Sequence, residues 1–194
     1  MNDIFGVGNA TNDLDKLAKV QMFAKLAHKE SYDGIFPYMY HLRRVAKTID
    51  NFNVMSDSKR FGVLFYAAYL HDVLEDTGRN YNDIKKAFGK DIAEVVYVVT
   101  NELGRNRIER NKKTYPKIKG NDVATALKLA DRIANMEYGY ENHNDRMFSM
   151  YAKELDSFEQ GIRDVTVETK EMTNMWNHLR WLANQTQREW SNGS

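Results

Sequence analysis

Apolar residues recur every three or four positions along most of the chain, which is the spacing of one face of an α-helix. Capping residues and glycines divide this pattern into segments. They predict helices over about residues 13–28, 37–50, 58–76, 84–88, 92–101, 123–136, 145–159 and 167–190. Ser56 or Asp57 is expected to cap the third of these helices. The valine-rich stretch 95–99 also suits a strand, but the caps around it favour a helix. The chain is therefore predicted to be all-α.

Four stretches interrupt the helical pattern. Residues 1–11 are polar and contain glycine, so they are expected to form a flexible N-terminal arm. Residues 29–36 break the first stripe, and Pro37 suits the first turn of the helix that follows. Residues 138–145 are expected to be a polar connection. Residues 103–120 carry seven lysines and arginines, which is typical either of a solvated surface segment or of a flap that contacts an anionic substrate.

The pattern suggests two structural units. Residues 12–165 contain most of the helices and are expected to form one domain, since 194 residues are enough for a single sizeable core. Residues 166–194 carry a C-terminal helix with methionine, tryptophan and leucine at helical spacing. Such a stripe predicts packing either on the bundle or at the face of a homodimer.

Composition excludes several functional classes. Hydrophobic residues make up 42% of the chain and charged residues 28%, as in soluble globular proteins. The net charge of +1 provides no overall field for nucleic acid or a membrane, so neither is an expected partner. The sequence contains no cysteine, which excludes disulfides and thiolate ligands. No signal peptide and no apolar run of about 20 residues are found, so a cytoplasmic protein is expected.

The densest group of reactive side chains lies in Tyr-Leu-His-Asp-Val-Leu-Glu-Asp-Thr at 69–77. On a continuous helix, His71 lies one turn from Glu75, and Asp72 lies one turn from Asp76. The sequence therefore predicts four polar side chains on one face, directly after an apolar run. A solvated helix end would explain the two acidic residues, but it explains the His-Asp pair less well.

Two further residues are candidates to join the His-Asp pair. His41 lies near the start of a predicted helix, and Asp131 lies within the apolar stretch 126–135. A buried, unpaired aspartate is unstable. Asp131 therefore needs either a bound cation or an ion pair with Lys128 or Arg132, each about one turn away.

These candidates combine nitrogen and oxygen donors. Two histidines and two aspartates suit a divalent ion such as Mn²⁺, Fe²⁺, Zn²⁺ or Mg²⁺. Such an ion polarises phosphorus–oxygen bonds and lowers the pKa of its bound water. Glu75 and Asp76 lie one turn beyond the His-Asp pair and could orient or deprotonate that water.

The order of these residues resembles the HD-domain metal-dependent phosphohydrolases, and more closely the hydrolase domain of the RelA/SpoT family and its single-domain relatives, the small alarmone hydrolases. The matching motifs are Pro-Tyr-x-x-His at 37–41, Leu-His-Asp-x-x-Glu-Asp-Thr at 70–77, Asp-Ile-x-x-x-Phe-Gly at 83–89 and Lys-Leu-Ala-Asp-Arg-x-x-Asn-Met at 128–136. The resemblance covers about residues 12–155. It implies an HD-domain helical bundle for residues 12–165.

The resemblance also implies roles for single residues. One divalent ion, Mn²⁺ in most relatives, would be bound by His41, His71, Asp72 and Asp131. Glu75 and Asp76 would be the catalytic residues that orient and activate water. The implied or suggested substrate contacts are Asn135, Lys29, Tyr32, Arg44 and Arg146. The implied reaction removes pyrophosphate from the 3′ position of guanosine tetra- or pentaphosphate (ppGpp or pppGpp).

The loop before the first motif departs from the family. Relatives carry Ala-His-x-Gly-Gln and then an Arg-Lys pair near the purine, whereas residues 27–34 read Ala-His-Lys-Glu-Ser-Tyr-Asp-Gly. Two alternatives therefore stand beside the alarmone hydrolase. One is an HD-type phosphatase acting on the 2′-phosphate of NADPH or on a deoxynucleoside 5′-monophosphate, and the other is a non-catalytic nucleotide sensor. A stand-alone hydrolase is expected, with a separate alarmone synthetase as its functional partner.

Overall fold

The apolar stripes face one another in a bundle of helices in the computed structural model, which describes residues 10–54 and 58–189. The helices are α1 (Ala10–Ala27), α2 (Met39–Phe52), α3 (Ser58–Leu70), α4 (Val73–Asp76), α5 (Tyr81–Phe88), α6 (Lys90–Val99), α7 (Arg107–Ile118), α8 (Asp122–Glu141), α9 (Asp145–Lys153), α10 (Leu155–Ile162) and α11 (Lys170–Glu189). The caps expected at 56–57 lie outside the described residues. So does most of the expected arm, although Ala10 and Thr11 belong to α1.

Helix α8 forms the centre of the core. Its Leu127, Leu129, Ile133 and Met136 are fully buried, and the helix packs against α2, α3, α6, α9 and α11. Helices α2 and α3 also pack against each other. The bundle thus brings the start of α2, the end of α3 and the middle of α8 close together, although they are distant in sequence.

Helix α11 covers one side of this core. It packs against α8, α2 and α9, and its Met172, Met175, Trp176 and Leu179 are buried. The division at residue 165 and the homodimer stay predictions. Within residues 10–54 and 58–189, no helix is both long and apolar enough to cross a bilayer.

A short hairpin occupies the loop before α2. Strand β1 (Ser31–Tyr32) pairs in antiparallel fashion with β2 (Phe36–Pro37). Asp33 and Gly34 make the turn in the left-handed region, with φ of 53° and 70°. The all-α prediction missed these strands because two residues are too few for a periodic signal. Pro37 was expected in the first turn of α2, but it lies in β2.

Three helical regions differ from the prediction. The basic segment 103–120 contains α7, which is anchored by the buried ring of Tyr115. Helix α8 continues through the start of the expected connection at 138–145, since Tyr138 is fully buried. The helix expected over 145–159 is divided into α9 and α10. In each case tertiary packing decides where the helix begins or ends.

A partly buried ion pair joins the end of α10 to the start of α11. Arg163 Nε donates to Glu168 Oε2 at 2.6 Å, and the Thr173 hydroxyl donates to Glu168 Oε1 at 2.6 Å. Burial opposes ionisation of Glu168, but these donors outweigh it and lower its pKa. The ionised form therefore stabilises the fold above the carboxyl's unfolded-state pKa of about 4.3. This stabilisation is lost as pH falls through the lower folded-state pKa.

Candidate metal centre and active site

Four potential ligand atoms from three parts of the bundle meet at one point. His41 lies in the first turn of α2, His71 and Asp72 lie between α3 and α4, and Asp131 lies in the middle of α8. The Nε2 of His41 lies 3.4 Å from His71 Nε2, 3.4 Å from Asp72 Oδ2 and 3.3 Å from Asp131 Oδ1. The Nε2 of His71 lies 3.0 Å from Asp72 Oδ2 and 3.7 Å from Asp131 Oδ1. The structure thus brings together the four residues predicted to bind metal.

The helix predicted to run through the His-Asp pair is broken there. Helix α3 ends at Leu70, His71 and Asp72 form a turn, and α4 follows. Adjacent residues of a continuous helix point about 100° apart, whereas here both side chains reach the same point. The backbone N–H of Asp76 donates to the Asp72 carbonyl at 2.9 Å. Asp72 and Asp76 therefore stay one turn apart, as predicted, although the continuous helix was wrong.

A hydrogen bond to the backbone fixes the orientation of the His71 ring. Its Nδ1 lies 2.8 Å from the carbonyl oxygen of Ala68. Because a carbonyl can only accept, Nδ1 carries the proton and Nε2 presents its lone pair to the centre. A backbone partner of this kind is the usual way in which proteins orient a metal-binding histidine.

Tyr32 supports two of the other candidate ligands. Its ring stacks on the imidazole of His41, with centroids 4.8 Å apart. Its hydroxyl donates to Asn135 Oδ1 at 2.8 Å. The Asn135 amide in turn donates to Asp131 Oδ1 at 2.6 Å. The β1 strand is thereby connected to candidate ligands on both α2 and α8.

The electrostatics of the cluster favour positive charge at its centre. Burial opposes protonation of His41 and His71, but the two carboxylates outweigh it and raise the pKa of both imidazoles. Burial also opposes ionisation of Asp72 and Asp131, yet the imidazoles hold the pKa of both carboxyls well below the usual value. A divalent cation can supply the same positive charge in place of the imidazole protons.

The donor set also fits a metal ion in chemistry and spacing. Each imidazole Nε2 lies 3.0 to 3.7 Å from the two carboxylate oxygens, close to the ~3 Å that separates neighbouring ligands of an ion bound at ~2.1 Å. Mixed imidazole and carboxylate ligands suit a first-row divalent ion. His41, His71 and Asp131 also form a group whose ligand atoms all lie within 4.8 Å of one another. The described residues therefore fit a single divalent ion, whose identity they do not specify.

A tyrosine hydroxyl joins Asp72 to Asp76. Tyr38 Oη lies 2.8 Å from Oδ2 of each carboxyl. A hydroxyl has one proton to donate, so one carboxyl must supply its own proton for both contacts to be hydrogen bonds. Burial and the charge of Asp72 raise the pKa of Asp76, whereas the pKa of Asp72 is well below the usual value. Asp76 is thus the better placed of the two to hold and release a proton.

Glu75 has a separate environment. Its Oε1 accepts the backbone N–H of Asn101 at 2.7 Å, and its Oε2 accepts the side-chain amide of Asn101 at 2.8 Å. Asn101 belongs to the loop after α6 and, like Glu75, lines the cavity over the centre. The two acidic residues grouped by the sequence therefore have different contacts. Asp76 connects to the ligand cluster, and Glu75 connects to the loop.

A cavity of about 320 Å³ lies over the centre. Its lining includes three cationic side chains, and each has a carboxylate partner. Arg107 lies 2.6 Å and Arg132 lies 3.3 Å from oxygens of Glu154, and Lys128 lies 3.6 Å from Asp131 Oδ2. Burial would lower the pKa of Lys128, but nearby carboxylates outweigh it and raise that pKa, so the amine stays charged. A larger groove of about 740 Å³ beside α1 and α3 contains no histidine in its described lining.

The predicted substrate contacts divide into two groups. Tyr32 and Asn135 line the cavity, although their polar groups also bond to each other. The other three predicted contacts lie outside the described lining of the cavity: Lys29, Arg44 and Arg146. Lys29 and Arg146 are exposed. Arg44 forms an ion pair with Glu141 at 2.7 Å, which explains why it does not reach the centre.

Several lining residues were missed from the sequence. Arg107, Asn111 and Tyr115 lie four positions apart on α7 and all face the cavity. Their spacing is that of one helix face, but the basic composition of the segment obscured it. Tyr151 on α9 also lines the cavity and lies against Arg132, with 4.4 Å between the guanidinium and the ring. Asn101 has no recognisable signal, since it follows directly after a helix end.

Comparisons with known proteins agree with this arrangement. The HD domain family matches residues 20–157. The guanosine-3′,5′-bis(diphosphate) 3′-pyrophosphohydrolase MESH1 of Drosophila melanogaster is 34% identical over 101 residues, which are 52% of this chain and 54% of that protein. The guanosine-3′,5′-bis(diphosphate) 3′-pyrophosphohydrolase of Aquifex aeolicus is 30% identical over 132 residues, which are 63% of this chain and 18% of that protein. The matched region thus spans about half the length of MESH1.

A solved structure shows the same fold. It is described as a metazoan orthologue of SpoT that hydrolyses ppGpp, and it superposes with a TM-score of 0.61 over 84% of this chain and 94% of that one. The sequence identity in this superposition is 22%. This likeness supports the arrangement of helices.

Proposed function

Because this chain belongs to the HD-domain family, we propose that it is a metal-dependent phosphohydrolase that removes pyrophosphate from the 3′ position of ppGpp and pppGpp. One observation carries the proposal. The Nε2 atoms of His41 and His71 each lie within 3.7 Å of Asp72 Oδ2 and of Asp131 Oδ1. Asp76 is connected to Asp72 through the Tyr38 hydroxyl. The names of the MESH1 relatives from Drosophila melanogaster and Xenopus tropicalis state this activity for those proteins.

In this proposal, one divalent ion, Mn²⁺ by the family resemblance, is bound by His41, His71, Asp72 and Asp131. When bound, such an ion polarises phosphorus–oxygen bonds and lowers the pKa of bound water. The Tyr32 ring and the Asn135 amide hold two of these ligands in place. The ligands are thus oriented before substrate arrives, which reduces the reorganisation needed during reaction.

Proton transfer is the part of the reaction assigned to the acidic residues. In its ionised form Asp76 accepts a proton from the attacking water, since its raised pKa suits proton exchange better than that of Asp72. Tyr38 keeps the Asp76 carboxyl beside the centre. Glu75, fixed by Asn101, orients the water from the cavity wall.

Substrate binding is assigned to the cavity lining. Lys128, Arg107 and Arg132 provide positive charge toward phosphate groups, and Asn111 provides an amide on the same wall. Tyr32 and Asn135 contribute to the binding of the nucleoside. A single nucleotide is thus bound between the hairpin, α7 and α8.

A second candidate is an HD-type phosphatase acting on the 2′-phosphate of NADPH or on a deoxynucleoside 5′-monophosphate. The observation in its favour is the charge of the cavity, where each lining cation already pairs with a carboxylate. The three basic residues expected at the substrate, Lys29, Arg44 and Arg146, also lie outside the described lining. A substrate with fewer phosphate charges needs less neutralisation in such a site.

Identification of the products distinguishes these candidates. The Mn²⁺-loaded protein is incubated separately with ppGpp, NADPH and a panel of deoxynucleoside monophosphates, and the products are resolved by ion exchange. GDP with pyrophosphate supports the proposed function. Orthophosphate from NADPH or a monophosphate supports the second candidate. Binding of ppGpp with no product from any nucleotide contradicts both and favours a sensor.

A further inference from the structure

Two arginines in the wall of the cavity share one carboxylate. Arg107 Nε donates to Glu154 Oε1 at 2.6 Å, and Arg132 Nη1 donates to Glu154 Oε2 at 3.3 Å. Both guanidinium groups also lie against the ring of Tyr151, 5.1 Å and 4.4 Å from its centroid. Across residues 10–54 and 58–189, neither arginine forms a second ion pair. The group therefore carries one more positive charge than negative charge.

Burial makes this excess charge unfavourable unless an anion is bound. The side chain of Arg132 is only 6% exposed, and its guanidinium also lies 4.2 Å from the ring centroid of Phe158. A single carboxylate cannot neutralise two guanidinium groups, and their mutual repulsion is weakly screened where water is excluded. Contacts with aromatic faces attract a cation but do not neutralise it. The excess charge thus indicates that this wall of the cavity binds an anion.

Glu154 holds the two arginines from outside the cavity. Arg107 and Arg132 belong to the described lining of the cavity, whereas Glu154 does not. The backbone N–H of Glu154 donates to the Met150 carbonyl at 3.2 Å, and its carbonyl accepts the Phe158 N–H at 2.9 Å. The main chain that carries this carboxylate is therefore fixed at the junction of α9 and α10. Arg107 donates to the carboxylate through Nε, and neither of its terminal nitrogens has a hydrogen-bond partner among the described residues. These two nitrogens stay available to a phosphate.

We propose that Glu154 is a positioning residue, which fixes Arg107 and Arg132 as one unit that binds the phosphate groups of the substrate. A guanidinium group matches a phosphate through two parallel N–H···O bonds. Because Glu154 sets the rotamers of both arginines before the substrate arrives, less side-chain entropy is lost on binding. Anion binding by this unit stands without the proposed function, whereas its effect on hydrolysis rests on that function.

The affinity for inorganic pyrophosphate tests this role directly. The Mn²⁺-loaded, full-length protein is titrated with pyrophosphate in a calorimeter. Glu154→Gln keeps the size of the side chain but provides one acceptor oxygen in place of two. It should weaken pyrophosphate binding about tenfold, which corresponds to the loss of roughly one hydrogen bond to a charged group.

Glu159→Gln is the matched control. Glu159 also pairs with two arginines, through Oε1 with Arg163 Nη1 at 2.5 Å and through Oε2 with Arg180 Nε at 3.1 Å. It lies on α10, outside the described lining of the cavity. The control therefore removes the same charge from another carboxylate shared by two arginines, and it should leave the pyrophosphate Kd unchanged.

A double-mutant cycle separates positioning from a general loss of structure. Arg107 is 33% exposed, so Arg107→Gln is expected to fold. If Glu154 acts through the arginines, Glu154→Gln should weaken pyrophosphate binding less in the Arg107→Gln background than in the wild-type background. Equal effects in the two backgrounds would overturn the proposal.

The pyrophosphate affinity of the folded variants decides the outcome, and circular dichroism checks folding. An unchanged or tighter Kd in folded Glu154→Gln would overturn the proposal, and so would a wild-type protein that binds no pyrophosphate. If Glu154→Gln does not fold, Glu154→Asp takes its place. Aspartate keeps the charge but is shorter, so it should weaken binding about threefold, and an unchanged Kd would contradict the positioning role.

Kinetics test the effect on hydrolysis. With ppGpp, Glu154→Gln should raise KM about tenfold and leave kcat within about twofold, because the arginines bind phosphate and transfer no proton. A lower kcat with an unchanged KM would contradict this role. If the wild-type protein hydrolyses no nucleotide, the proposed function fails, but the pyrophosphate affinities still decide whether Glu154 positions the arginines.

Discussion

Replacing Tyr32 by phenylalanine tests whether the hairpin supports the metal centre. The change keeps the ring that stacks on His41 and removes the hydroxyl that donates to Asn135 at 2.8 Å. Asn135 then loses the partner that fixes its amide, whose nitrogen donates to Asp131 Oδ1 at 2.6 Å. Asp131 becomes less well oriented toward the centre, although none of the four candidate ligands has been changed.

The substitution is expected to change both the affinity for Mn²⁺ and the free energy of unfolding. Loss of a group that orients a metal ligand typically weakens metal binding about 10- to 100-fold, which is about 1.4 to 2.8 kcal/mol. Loss of the hydroxyl also leaves Asn135 Oδ1 without this hydrogen bond, and Asn135 is only 6% exposed. A buried acceptor without a partner costs about 1 to 3 kcal/mol. We therefore expect Tyr32→Phe to raise the Mn²⁺ Kd by 10- to 100-fold and to lower the free energy of unfolding by about 1 to 3 kcal/mol.

Isothermal titration with Mn²⁺ and urea unfolding of the metal-free protein measure the two effects. Tyr40→Phe is the matched control, because Tyr40 belongs to the same aromatic cluster and, among residues 10–54 and 58–189, its hydroxyl accepts a single long bond, from Arg44 at 3.4 Å. The control should leave the Kd unchanged. A Kd for Tyr32→Phe within about twofold of the wild-type value would refute the support assigned to Tyr32.

Three further outcomes are expected. Glu75→Gln should keep Mn²⁺ affinity and lower kcat by roughly 10² to 10⁴, as measured by titration and steady-state kinetics, and full activity would exclude a catalytic role for Glu75. Gly161→Ala should destabilise the fold by about 1 to 3 kcal/mol, because its Cβ would overlap the Tyr115 ring, with Cγ only 2.9 Å away. The control Gly62→Ala has its nearest contact at 3.8 Å and should stabilise α3 by about 0.5 to 1 kcal/mol, and equal effects in urea unfolding would contradict this packing. Glu168→Gln should destabilise the fold by about 1.5 to 3 kcal/mol near pH 7, and progressively less as pH falls below the unfolded-state pKa of about 4.3, because the pKa of Glu168 is lowered in the folded state; a loss independent of pH would show that its charge is not involved.

The order of motifs along the chain was sufficient to predict that four particular side chains lie together, whereas their roles stay predictions. His41, His71, Asp72 and Asp131 come from three helical regions, and the structure brings them together as expected. Periodicity also identified most helices, since burial of one face is what periodicity reports. The ion pair predicted as an alternative partner for Asp131 is also present: Lys128 Nζ lies 3.6 Å from Asp131 Oδ2.

Periodicity could not reveal the break between α3 and α4. Asp72 keeps near-helical angles, with φ of −94° and ψ of −6°. The break therefore requires no glycine or proline, and the sequence contains no signal for it. The consequence is large, because only the turn lets two adjacent side chains reach one ion. The pairing of Arg132 with Glu154 in place of Asp131 likewise depends on how α8 packs beside α9, since Glu154 follows directly after that helix.

The other missed features depend on distant contacts. Asn101 acquires its role only when the loop after α6 meets Glu75, and Tyr32 acquires its role only when the hairpin meets α8. The wall formed by α7 depends on Tyr115 packing against Phe158 of α10, with ring centroids 5.8 Å apart. Such contacts join residues far apart in sequence, so the local spacing of residues does not predict them.

The fate of solvent oxygen tests the central claim most directly. The Mn²⁺-loaded protein is incubated with ppGpp in water enriched in ¹⁸O, and the products are separated and analysed by mass spectrometry. Attack of activated water on the phosphorus next to the 3′ oxygen predicts one ¹⁸O atom in the released pyrophosphate and none in GDP. Label in GDP, or ppGpp that stays intact while a control hydrolase cleaves it, would contradict the account.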